Sequence, residues 1–488
     1  MINRRELIAG ILGARPAIAA FDGAGLVTPL TFGAKANGED KDTGSIQKAL
    51  DAVRQSGGGT VYFPAGRYRS GRLRLRSNVS LWLDNGATLL MSPDDTNFGP
   101  EIKDAEGLGY RAALLAGEGV ESVAIRGEGV IECDRKKRGG PKPIALLRSK
   151  RIRIQGVSIR NAPNYTISLL GCEDVVIDGI HIANGWADGI DPDCSRNVRI
   201  SNCFVESVDD AIVLKASGAM GEKMSTEYVT VTNCVLRTAS IHFKCGTESS
   251  RDFSNIVLSN CAFGGGMGMR HGNPGLAFYT VDGGALRNVS VNNVVMQDVG
   301  IPLALRRGLR DRGRTGVAGD LETVRIANVT ARGAKLPSVI AGLPGAPVRD
   351  VVIDGFSVTM SRTDAVVREL AEIPERPKDY PDPTMFGLLP AYGLYVRHAT
   401  GLTMRGVQLR SAAEEKRAAI VLDDVAACRI ENLQARELWL NDVRRSAIYD
   451  PVGQARVRVS GSKSAELKLS PKTEVAIDAG VPAKAVIR

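Results

Sequence analysis

Two short acidic segments contain the residues of this chain that are best suited to chemistry. Residues 186–193 include Asp188, Asp191 and Asp193, and the pair Asp209-Asp210 follows further along the chain. Two carboxyl groups on one surface can cleave a glycosidic bond, because one protonates the leaving oxygen while the other activates the attacking group. Asp-Gly and Asp-Asp alone are commonly turns or solvated corners. The chemistry therefore depends on an element that brings these acids together.

A repeated strand provides that element. Val- and Ile-rich segments of alternating polarity, each ending in Asn or Gly, begin at residues 152, 175, 198, 229, 256, 289, 324, 351, 402, 428 and 457. Such alternation predicts strands, and a constant strand with loops of variable length predicts a solenoid. We predict an all-β, right-handed parallel β-helix. Leucine-rich repeats fit less well because their leucine spacing is absent.

The register of the repeat predicts that the acids are neighbours in space. The interval from Asp188 to Asp209 is close to the local repeat length. Asp188 follows the repeat start at Val175 at nearly the same offset at which Asp209 and Asp210 follow the start at Val198. Since adjacent strands are about 4.8 Å apart, one or two coils separate side chains by roughly 5–10 Å, which leaves space for a water. Repulsion between neighbouring carboxylates raises the pKa of one of them and keeps it protonated.

The next coils carry basic residues at similar positions. Ser240 and His242 follow the repeat start at Val229 at offsets that match those of the acids, with Lys244 close behind. Later coils add Arg270, His271, Arg306 and Arg307. Such cations suit an anionic or hydroxyl-rich sugar, although each long side chain could equally belong to a solvated surface. We expect one face that presents acids, then His242 and Lys244, then arginines.

Length and charge agree with one elongated domain that acts on a sugar polymer. A solenoid of 488 residues grows by stacking coils, and its 54 glycines suit tight corners. The formal net charge of +9 is consistent with a solvated basic surface or with attraction to an acidic polymer. Nucleic acid is not expected as a partner, because the chain has no Lys/Arg-rich tract or nucleic-acid motif.

Three of the eight cysteines follow the Asn that ends a repeat strand. Cys203, Cys234 and Cys261 occur in the triplets SNC, TNC and SNC. Equivalent positions stack on consecutive coils, so these residues predict an internal column of small buried side chains. No CxxC motif suggests a metal site. The sequence alone does not decide whether the cysteines form disulfides.

The two ends of the chain have predicted roles of their own. Residues 1–20 contain Arg4-Arg5, a weakly apolar stretch and a small-residue end, which predicts an export signal and a periplasmic or secreted protein. No later stretch reaches the ~18 apolar residues of a membrane span. We expect residues 466–488 to form a C-terminal tail or cap after a β-helix over residues 76–465, which includes a long loop at 360–398.

Residues 21–75 predict an N-terminal cap. The amphipathic run Ile46, Ala49, Leu50 and Val53 predicts a helix with Asp42 or Thr43 as its N-cap, followed by a first strand at residues 60–64. A helix over the open end of a solenoid covers its exposed apolar coil. The segment FGA…GGGTVYFPAG, within residues 30–68, resembles the start of many pectate-lyase-like β-helices.

The acidic segments resemble the core of the glycoside hydrolase family 28 polygalacturonases. Asp188-Gly189-Ile190-Asp191 and Asp209-Asp210 match that family's Asn-Thr-Asp-Gly-Ile-Asp and Asp-Asp elements. The resemblance implies a right-handed β-helix and inverting hydrolysis of pectin-type chains without a cofactor. It assigns the general acid to Asp209 and water activation to Asp188 and Asp210. It also implies that the loop at residues 380–398 is similar to one found in bacterial relatives.

Departures from the family pattern leave the sugar open. Trp186-Ala187 replaces Asn-Thr, so Trp186 could stack on a sugar or pack in its loop. The family's Gly-His-Gly element falls near residues 239–241, which leaves His242 as a displaced catalytic candidate. Its Arg-Ile-Lys element is absent near residues 277–279. We expect Lys244, Arg270, His271, Arg306, Arg307 and Asp191 to contribute to substrate binding instead.

Two other classes of protein share this pattern of strands. A polysaccharide lyase would combine the same fold with a base, a neutralising cation and often calcium, for which Asp191 and Asp193 are possible ligands. A non-catalytic carbohydrate-binding β-helix is the second alternative, since fold alone does not specify function. The sequence favours a hydrolase acting on a galacturonan- or rhamnogalacturonan-related substrate, and its long insertions favour attack from a chain end.

Overall fold

The computed structural model describes residues 26–99, 102–103, 109–110, 112–221, 224–266, 273–361, 368–382, 384–449, 455–471 and 473–487. Nearly all strands pair in parallel with the strand one coil earlier and one coil later, and they form three ladders that correspond to three faces of a solenoid. The prediction of an all-β, right-handed parallel β-helix is confirmed. The exception is the antiparallel pair Ile102–Lys103 and Gly109–Tyr110.

The first ladder carries the repeat strands that the sequence predicted. Its strands are Leu26–Val27, Gly59–Phe63, Val79–Leu83, Glu121–Gly127, Lys150–Gln155, Glu173–Asp178, Arg196–Ser201, Thr226–Thr232, Phe253–Gly265, Leu286–Gln297, Leu321–Ala334, Val348–Met360, Ala391–Arg405, Arg429–Glu431, Arg444–Tyr449, Ala465–Leu469 and Val486–Ile487.

The second ladder follows after a sharp turn. Its strands are Asn37–Lys41, Gly66–Ser70, Ala87–Met91, Val130–Glu132, Ser158–Arg160, His181–Gly185, Phe204–Ser207, Val235–Thr238, the second halves of the four long strands that start at Phe253, Leu286, Leu321 and Val348, and Gln408–Ser411.

The third ladder, called the site ladder below, carries the acidic and basic candidates. Its strands are Leu73–Arg74, Ala113–Glu118, Lys142–Leu147, Ile167–Leu170, Ile190–Asp193, Ile212–Leu214, Phe243–Cys245, Pro274–Thr280, Ile301–Arg307, Ser338–Ala341, the first half of Ala391–Arg405, Ala418–Ala426, Glu437–Asn441, Arg456–Ser460 and Glu474–Ile477. The short 3-10 helices are Pro29–Phe32, Asp95–Phe98 and Leu370–Glu372.

The Asn or Gly at the end of each repeat strand makes the turn into the second ladder. Asn202, Asn233 and Asn260 have φ of 58°, 56° and 54°, which is the left-handed region. Among L-residues Asn tolerates this region best, and Gly enters it without a steric cost. The amide of Asn233 also donates to the side-chain oxygen of Asn202 at 3.3 Å. The repeated Asn therefore fixes one corner of every coil.

The cysteine column lies inside the solenoid. Cys203, Cys234 and Cys261 are buried, and each thiol donates to the backbone carbonyl two residues earlier, at 3.0, 3.2 and 3.1 Å. All eight cysteines are buried free thiols. The register continues this column with Val294, Val329 and Phe356, so the position is apolar on each of these coils.

The helix Thr43–Gln55 covers the N-terminal end of the solenoid. Its buried residues are the four that the sequence predicted, Ile46, Ala49, Leu50 and Val53. Asp42 is the N-cap residue, but its carboxylate accepts from the backbone of Lys35 at 2.6 Å rather than from the helix. At the other end, the strands after residue 465 continue the ladders, and the division of the chain into domains stays a prediction. No helix among the described residues is long and apolar enough to cross a bilayer.

An insertion after residue 361 folds back over the site ladder. In its described part, residues 368–382 and 384–390, Ile373, Phe386 and Leu389 form a buried cluster with Tyr395 and Trp439 of the ladder. Arg306 fastens this segment, because its guanidinium donates to the carbonyls of Gly342, Glu375 and Arg376 at 2.8–3.0 Å. The insertion thereby holds Tyr380 above the sheet.

Candidate active site

The three acids Asp188, Asp209 and Asp210 meet where two turns of consecutive coils stack before the site ladder. The amide of Gly189 donates to the carbonyl of Asp210 at 2.9 Å and joins the turns. A Cβ at residue 189 would lie only 2.4 Å from the carbonyl oxygen of Ala211, so this position requires glycine. One side-chain oxygen from each acid lies within 4.8 Å of the others. An interval of about one repeat length in the sequence thus produces contact between coils.

Asp188 is held by a buried lysine. The ammonium of Lys215 donates to Asp188 at 3.1 Å and to Asp191 at 2.8 Å. It also lies 4.2 Å from the centre of the Tyr165 ring, within the range of a cation–π contact. Both carboxylates and the lysine are more than nine-tenths buried. Lys215 therefore fixes the orientation of Asp188 and neutralises part of the charge that burial makes costly.

Asp210 is held by a second lysine on the next coil. The ammonium of Lys244 donates to one oxygen of Asp210 at 2.8 Å. The other oxygen accepts from the hydroxyl of Ser240 at 2.8 Å and from the backbone of Ile241 at 3.2 Å. Lys244 also approaches the hydroxyl of Tyr380 at 3.2 Å. Asp210 is thus a fully ordered carboxylate with three donors.

Asp209 differs from its neighbours because its cationic partner is exposed. Arg138, which lies in the loop before the strand Lys142–Leu147, forms an ion pair with Asp209. Its side chain is 57% exposed, whereas the side chain of Asp209 is 30% exposed. The loop itself is anchored on both sides of Arg138: Trp186 donates to the carbonyl of Arg135 at 3.0 Å, and Gly139 donates to Pro163 at 2.8 Å. Arg138 is therefore an exposed side chain on an anchored loop.

These contacts give the acids different affinities for a proton. Burial, together with repulsion from Asp209 and Asp210, raises the pKa of Asp188 to about 8, although Lys215 opposes the shift. Burial would also raise the pKa of Asp209, but Arg138 outweighs it and holds that pKa below the usual value. The cluster thus retains a proton near neutral pH, and in this arrangement Asp188 is the favoured carrier.

The spacing of the acids bears on how a water could attack. Carboxyl pairs with a water between them are typically about 6.5–9.5 Å apart, and pairs in retaining enzymes about 5–5.5 Å. In this site one oxygen from each acid lies within 4.8 Å of the others, and the remaining atoms of the carboxyl groups can be further apart. Spacing alone therefore does not decide whether water attacks directly. The carboxylates already face the cations Lys215, Lys244 and Arg138, which disfavours a further cation among them.

His242 lies beside the acids without bonding to them. Its Nε2 lies 2.8 Å from the carbonyl of Gly264, and its ring stacks on Phe263 with centroids 5.0 Å apart. Burial lowers its pKa, so the ring is neutral. The Nδ1 atom has no hydrogen-bond partner among the described residues. Ser240, Ile241 and Lys244 of this coil contact the carboxylate of Asp210, whereas His242 does not, and a catalytic role for His242 stays a prediction.

The other predicted binding residues lie in different surroundings. Lys244 is within the site, and Asp191 reaches it through Lys215. Arg306 and Arg307 are buried, and their terminal nitrogens donate to backbone carbonyls, Arg307 to Pro347 and Ala318 at 2.9 and 3.0 Å. Both arginines therefore hold loops in place, and neither faces the acids. Arg270 and His271, like the predicted export signal at 1–20, lie outside the described residues.

Trp186 and Asp193 support the site from behind. The indole of Trp186 is half-buried against the loop that carries Arg138. Asp193 accepts from the backbone of Ser217 at 2.8 Å and from its hydroxyl at 2.5 Å. Asp193 therefore fixes the chain just after Lys215, rather than offering a free carboxylate to a ligand.

A groove leads to the acids from one side of the sheet. Towards the C-terminal end, the outward column of the site ladder continues from Lys244 through Ala277, Ala304 and Val339. Ala277 and Ala304 are buried in a cluster with Ile241, and Val339 is buried in the cluster of the insertion. Towards the N-terminal end, the same column contains Ser168, Ala145 and Ala116, and it opens into a cavity. The acids thus lie where an open groove meets a covered sheet.

Four residues of the site were not predicted from the sequence. Lys215 could have been found, because the register sets it opposite Asp193. Tyr165 lies one coil before Asp188 in the same kind of turn, and its ring gave no periodic signal. Arg138 and Tyr380 reach the acids from loops 71 residues before Asp209 and 136 residues after Lys244. Residues in such long loops have no fixed offset from the repeat strands, so their position relative to the acids cannot be predicted by counting along the sequence.

A parallel β-helix with three clustered, differently paired carboxylates defines the class of protein as one built for acid–base chemistry in a groove. The profile of glycosyl hydrolases family 28 matches residues 94–371, which include all three acids. This match covers more than half of the chain. The chain belongs to glycoside hydrolase family 28, a family of glycosidases.

Similar proteins include polygalacturonases of plants and bacteria. A probable polygalacturonase of Vitis vinifera is 30% identical over 212 residues, which are 38% of this chain and 43% of that protein. An endo-polygalacturonase of Pectobacterium carotovorum is 26% identical over 61% of this chain and 71% of its own length. A solved structure of an exopolygalacturonase from Thermotoga maritima has a TM-score of 0.61 at 21% identity and covers 79% of this chain and 91% of its own. This structural likeness establishes the fold.

Proposed function

We propose that this protein is an inverting glycoside hydrolase that acts on an acidic, pectin-type polysaccharide or oligosaccharide. The observation that carries the proposal is the cluster of Asp188, Asp209 and Asp210 at the closed end of a groove. Membership of family 28 and the polygalacturonase relatives support the same reaction class. Inversion follows from the family resemblance and from two fixed carboxylates, Asp188 and Asp210, that can share one water.

In the proposed reaction, Asp209 protonates the oxygen of the leaving sugar. Asp188 and Asp210 accept hydrogen bonds from a water and remove its proton as it attacks the anomeric carbon. Lys215 and Lys244 hold these two carboxylates in place and limit their basicity. The sugar–oxygen bond breaks, the water oxygen forms the new bond, and the leaving sugar departs with the proton from Asp209.

Asp209 must change partners before it can act as the acid. Its ion pair with Arg138 favours the ionised form, whereas a proton donor must be neutral. A uronate carboxylate in the groove would compete for Arg138, whose planar guanidinium binds carboxylates well. Release of Arg138 raises the pKa of Asp209 and allows the proton held by the cluster to move from Asp188. Binding of an acidic sugar would in this way protonate Asp209 and prepare it to act as the general acid.

The covered sheet beyond Lys244 favours attack from a chain end. Ala277 and Ala304 are buried in a cluster with Ile241, the insertion packs on Val339, and Tyr380 lies beside Lys244, so the described part of the sheet is covered on that side. A chain that enters from the N-terminal side can extend only a short distance past the acids. We therefore propose exo action. The export predicted from residues 1–20 would bring the protein to a polymer outside the cell, and it stays a prediction.

The reaction class can be tested on homogalacturonan, rhamnogalacturonan fragments and their oligomers. We expect release of reducing ends without the ultraviolet absorbance of an unsaturated uronate, which marks elimination. Asp209→Asn should lower kcat by about 10²–10⁴-fold, the usual contribution of a general acid, and should retain substrate binding. Asp354→Asn, an exposed change on another face, is the matched control. Full activity of Asp209→Asn would remove its assignment, and unsaturated products would indicate a lyase.

A further inference from the structure

A cavity of about 340 Å³ lies on the site ladder and extends from the arginines of the first coil to Ser168, one coil before Asp191. Its charged lining consists of four arginines and one glutamate, Arg54, Arg72, Arg74, Arg76 and Glu118, an excess of three positive charges. The arginines come from two elements. Arg54 belongs to the helix Thr43–Gln55, and the other three come from the first strand of the site ladder and its flanks.

Two of these arginines are available to a ligand. The side chains of Arg54 and Arg74 are exposed, and neither guanidinium forms a hydrogen bond or ion pair with a residue that the structure describes. Arg76, in contrast, donates to Asp51 at 2.7 Å. Concave basic sites with unpaired arginines are suited to carboxylates, because guanidinium binds them with two parallel hydrogen bonds.

The cavity and the acids share one column of the sheet. In the parallel register Arg74 pairs with Ala116, Ala116 with Ala145, Ala145 with Ser168, and Ser168 with Asp191. Four steps of about 4.8 Å set Arg74 roughly 19 Å from Asp191. The residues between them are small, so the floor of the groove has room for sugar rings to lie along the solenoid axis.

Two segments border this floor. The loop that carries Arg138 precedes the strand Lys142–Leu147, and Met220 packs against Leu147 and Leu170 at the strand ends. The floor therefore runs from the acid cluster through the cavity, whose arginines lie at the end away from the acids. A chain with a negative charge on each sugar would meet a cation at both ends, at Arg138 and at the cavity.

We propose that the cavity formed around Arg54 and Arg74 binds the carboxylates of an acidic oligosaccharide chain, at sugar units several positions away from the bond that is cleaved. This inference rests on the proposed function for its direction along the groove. The cavity acts as a remote anchor that favours long uronate chains over short ones and over neutral chains.

Chain-length dependence tests this anchor. For the wild-type protein, kcat/KM on galacturonate oligomers should rise with length until the chain reaches the cavity. The double variant Arg54→Ala/Arg74→Ala should lose that gain, by at least roughly tenfold on long oligomers if one or two charge-assisted hydrogen bonds are lost. The loss should disappear on oligomers too short to span the distance. Arg199→Ala, an exposed arginine on the first ladder, should change neither.

A binding measurement separates failure of the anchor from failure of the proposed function. Calorimetry on Asp209→Asn, with and without the two arginine changes, uses a long galacturonate oligomer, a neutral galactan oligomer, a sulfated oligosaccharide and single-stranded DNA. Loss of galacturonate binding in the arginine variant supports the anchor even if the wild type hydrolyses nothing. Equal losses on short and long oligomers, unchanged affinity, or equal binding of sulfated chains or DNA would each overturn it.

Discussion

Asp188, Asp209 and Asp210 are chemically identical side chains that the structure makes different through the cation beside each one. Two face buried lysines that cannot leave, and the third faces an exposed arginine that can. A fixed cation preserves a base, whereas a removable cation allows an acid to be switched on. The division of roles among the acids therefore originates in their partners rather than in their own positions.

The Arg138 contact leads to a prediction about pH. Replacing Arg138 with Gln removes the charge that lowers the pKa of Asp209, so that pKa rises and Asp209 stays protonated to higher pH. We expect the alkaline limb of the kcat/KM profile to move to higher pH, while KM for an acidic substrate increases. Lys137→Gln, an exposed change in the same loop, should alter neither. An unmoved alkaline limb would show that Arg138 does not control the acid.

At the residue scale, spacing predicted the acids but not their partners. Asp188 and Asp209 are one coil apart, so counting from the repeat strands was sufficient to pair them. Arg306 was predicted as a substrate ligand from its position on a coil after the acids, yet its guanidinium donates to three backbone carbonyls, two of them in the insertion. The sequence pattern predicts on which face of the solenoid a residue lies, but it does not predict which loop packs over that residue.

At the scale of elements, the insertion after residue 361 controls how far a substrate can extend. Its apolar cluster packs on Val339 and Tyr395 of the site ladder, and it contributes Tyr380 beside Lys244. The length of residues 360–398 indicated a loop of functional size. Its direction, back over the site ladder, depends on contacts such as that of Arg306 with Phe386, 5.3 Å from the ring centre, which no periodicity reveals.

Opening this wall should change the products. Tyr380→Ala removes the hydroxyl that approaches Lys244 and the ring that closes the groove. We expect oligomers longer than the wild-type product to appear among the first products of a long galacturonate chain, as mass spectrometry would show. Tyr228→Ala, an exposed tyrosine on the first ladder, serves as control. An unchanged product pattern would mean that Tyr380 does not limit the groove.

The whole molecule is a stack of coils, and its open N-terminal end depends on one helix. Leu50 is fully buried between the helix and the first coil. Leu50→Ala should lower the free energy of unfolding by about 2–5 kcal/mol, the usual cost of such a cavity, measured by denaturant titration. Lys48→Ala on the exposed side of the helix should have little effect. A change below about 0.5 kcal/mol at Leu50 would show that the helix is not a stabilising cap.

The fold was predictable because the same sequence pattern recurs in each coil of the solenoid. Alternating Val and Ile and a terminal Asn or Gly recur on coil after coil, so the repeat can be recognised even where a single coil departs from the pattern. The four predicted helix residues at the N-terminal end are also buried as expected. The groove was not predictable, since it arises from loops whose lengths differ at every coil and whose contacts span up to 136 residues.

The stereochemistry of the first product tests the central claim most directly. Proton NMR of the wild-type reaction on an α-linked galacturonate oligomer resolves the anomer that forms before mutarotation. If Asp188 and Asp210 direct a water while Asp209 protonates the leaving oxygen, the first product has the β configuration. An α product would make one of the closely spaced carboxylates a nucleophile, and an unsaturated product would replace hydrolysis with elimination. Either result would contradict the account.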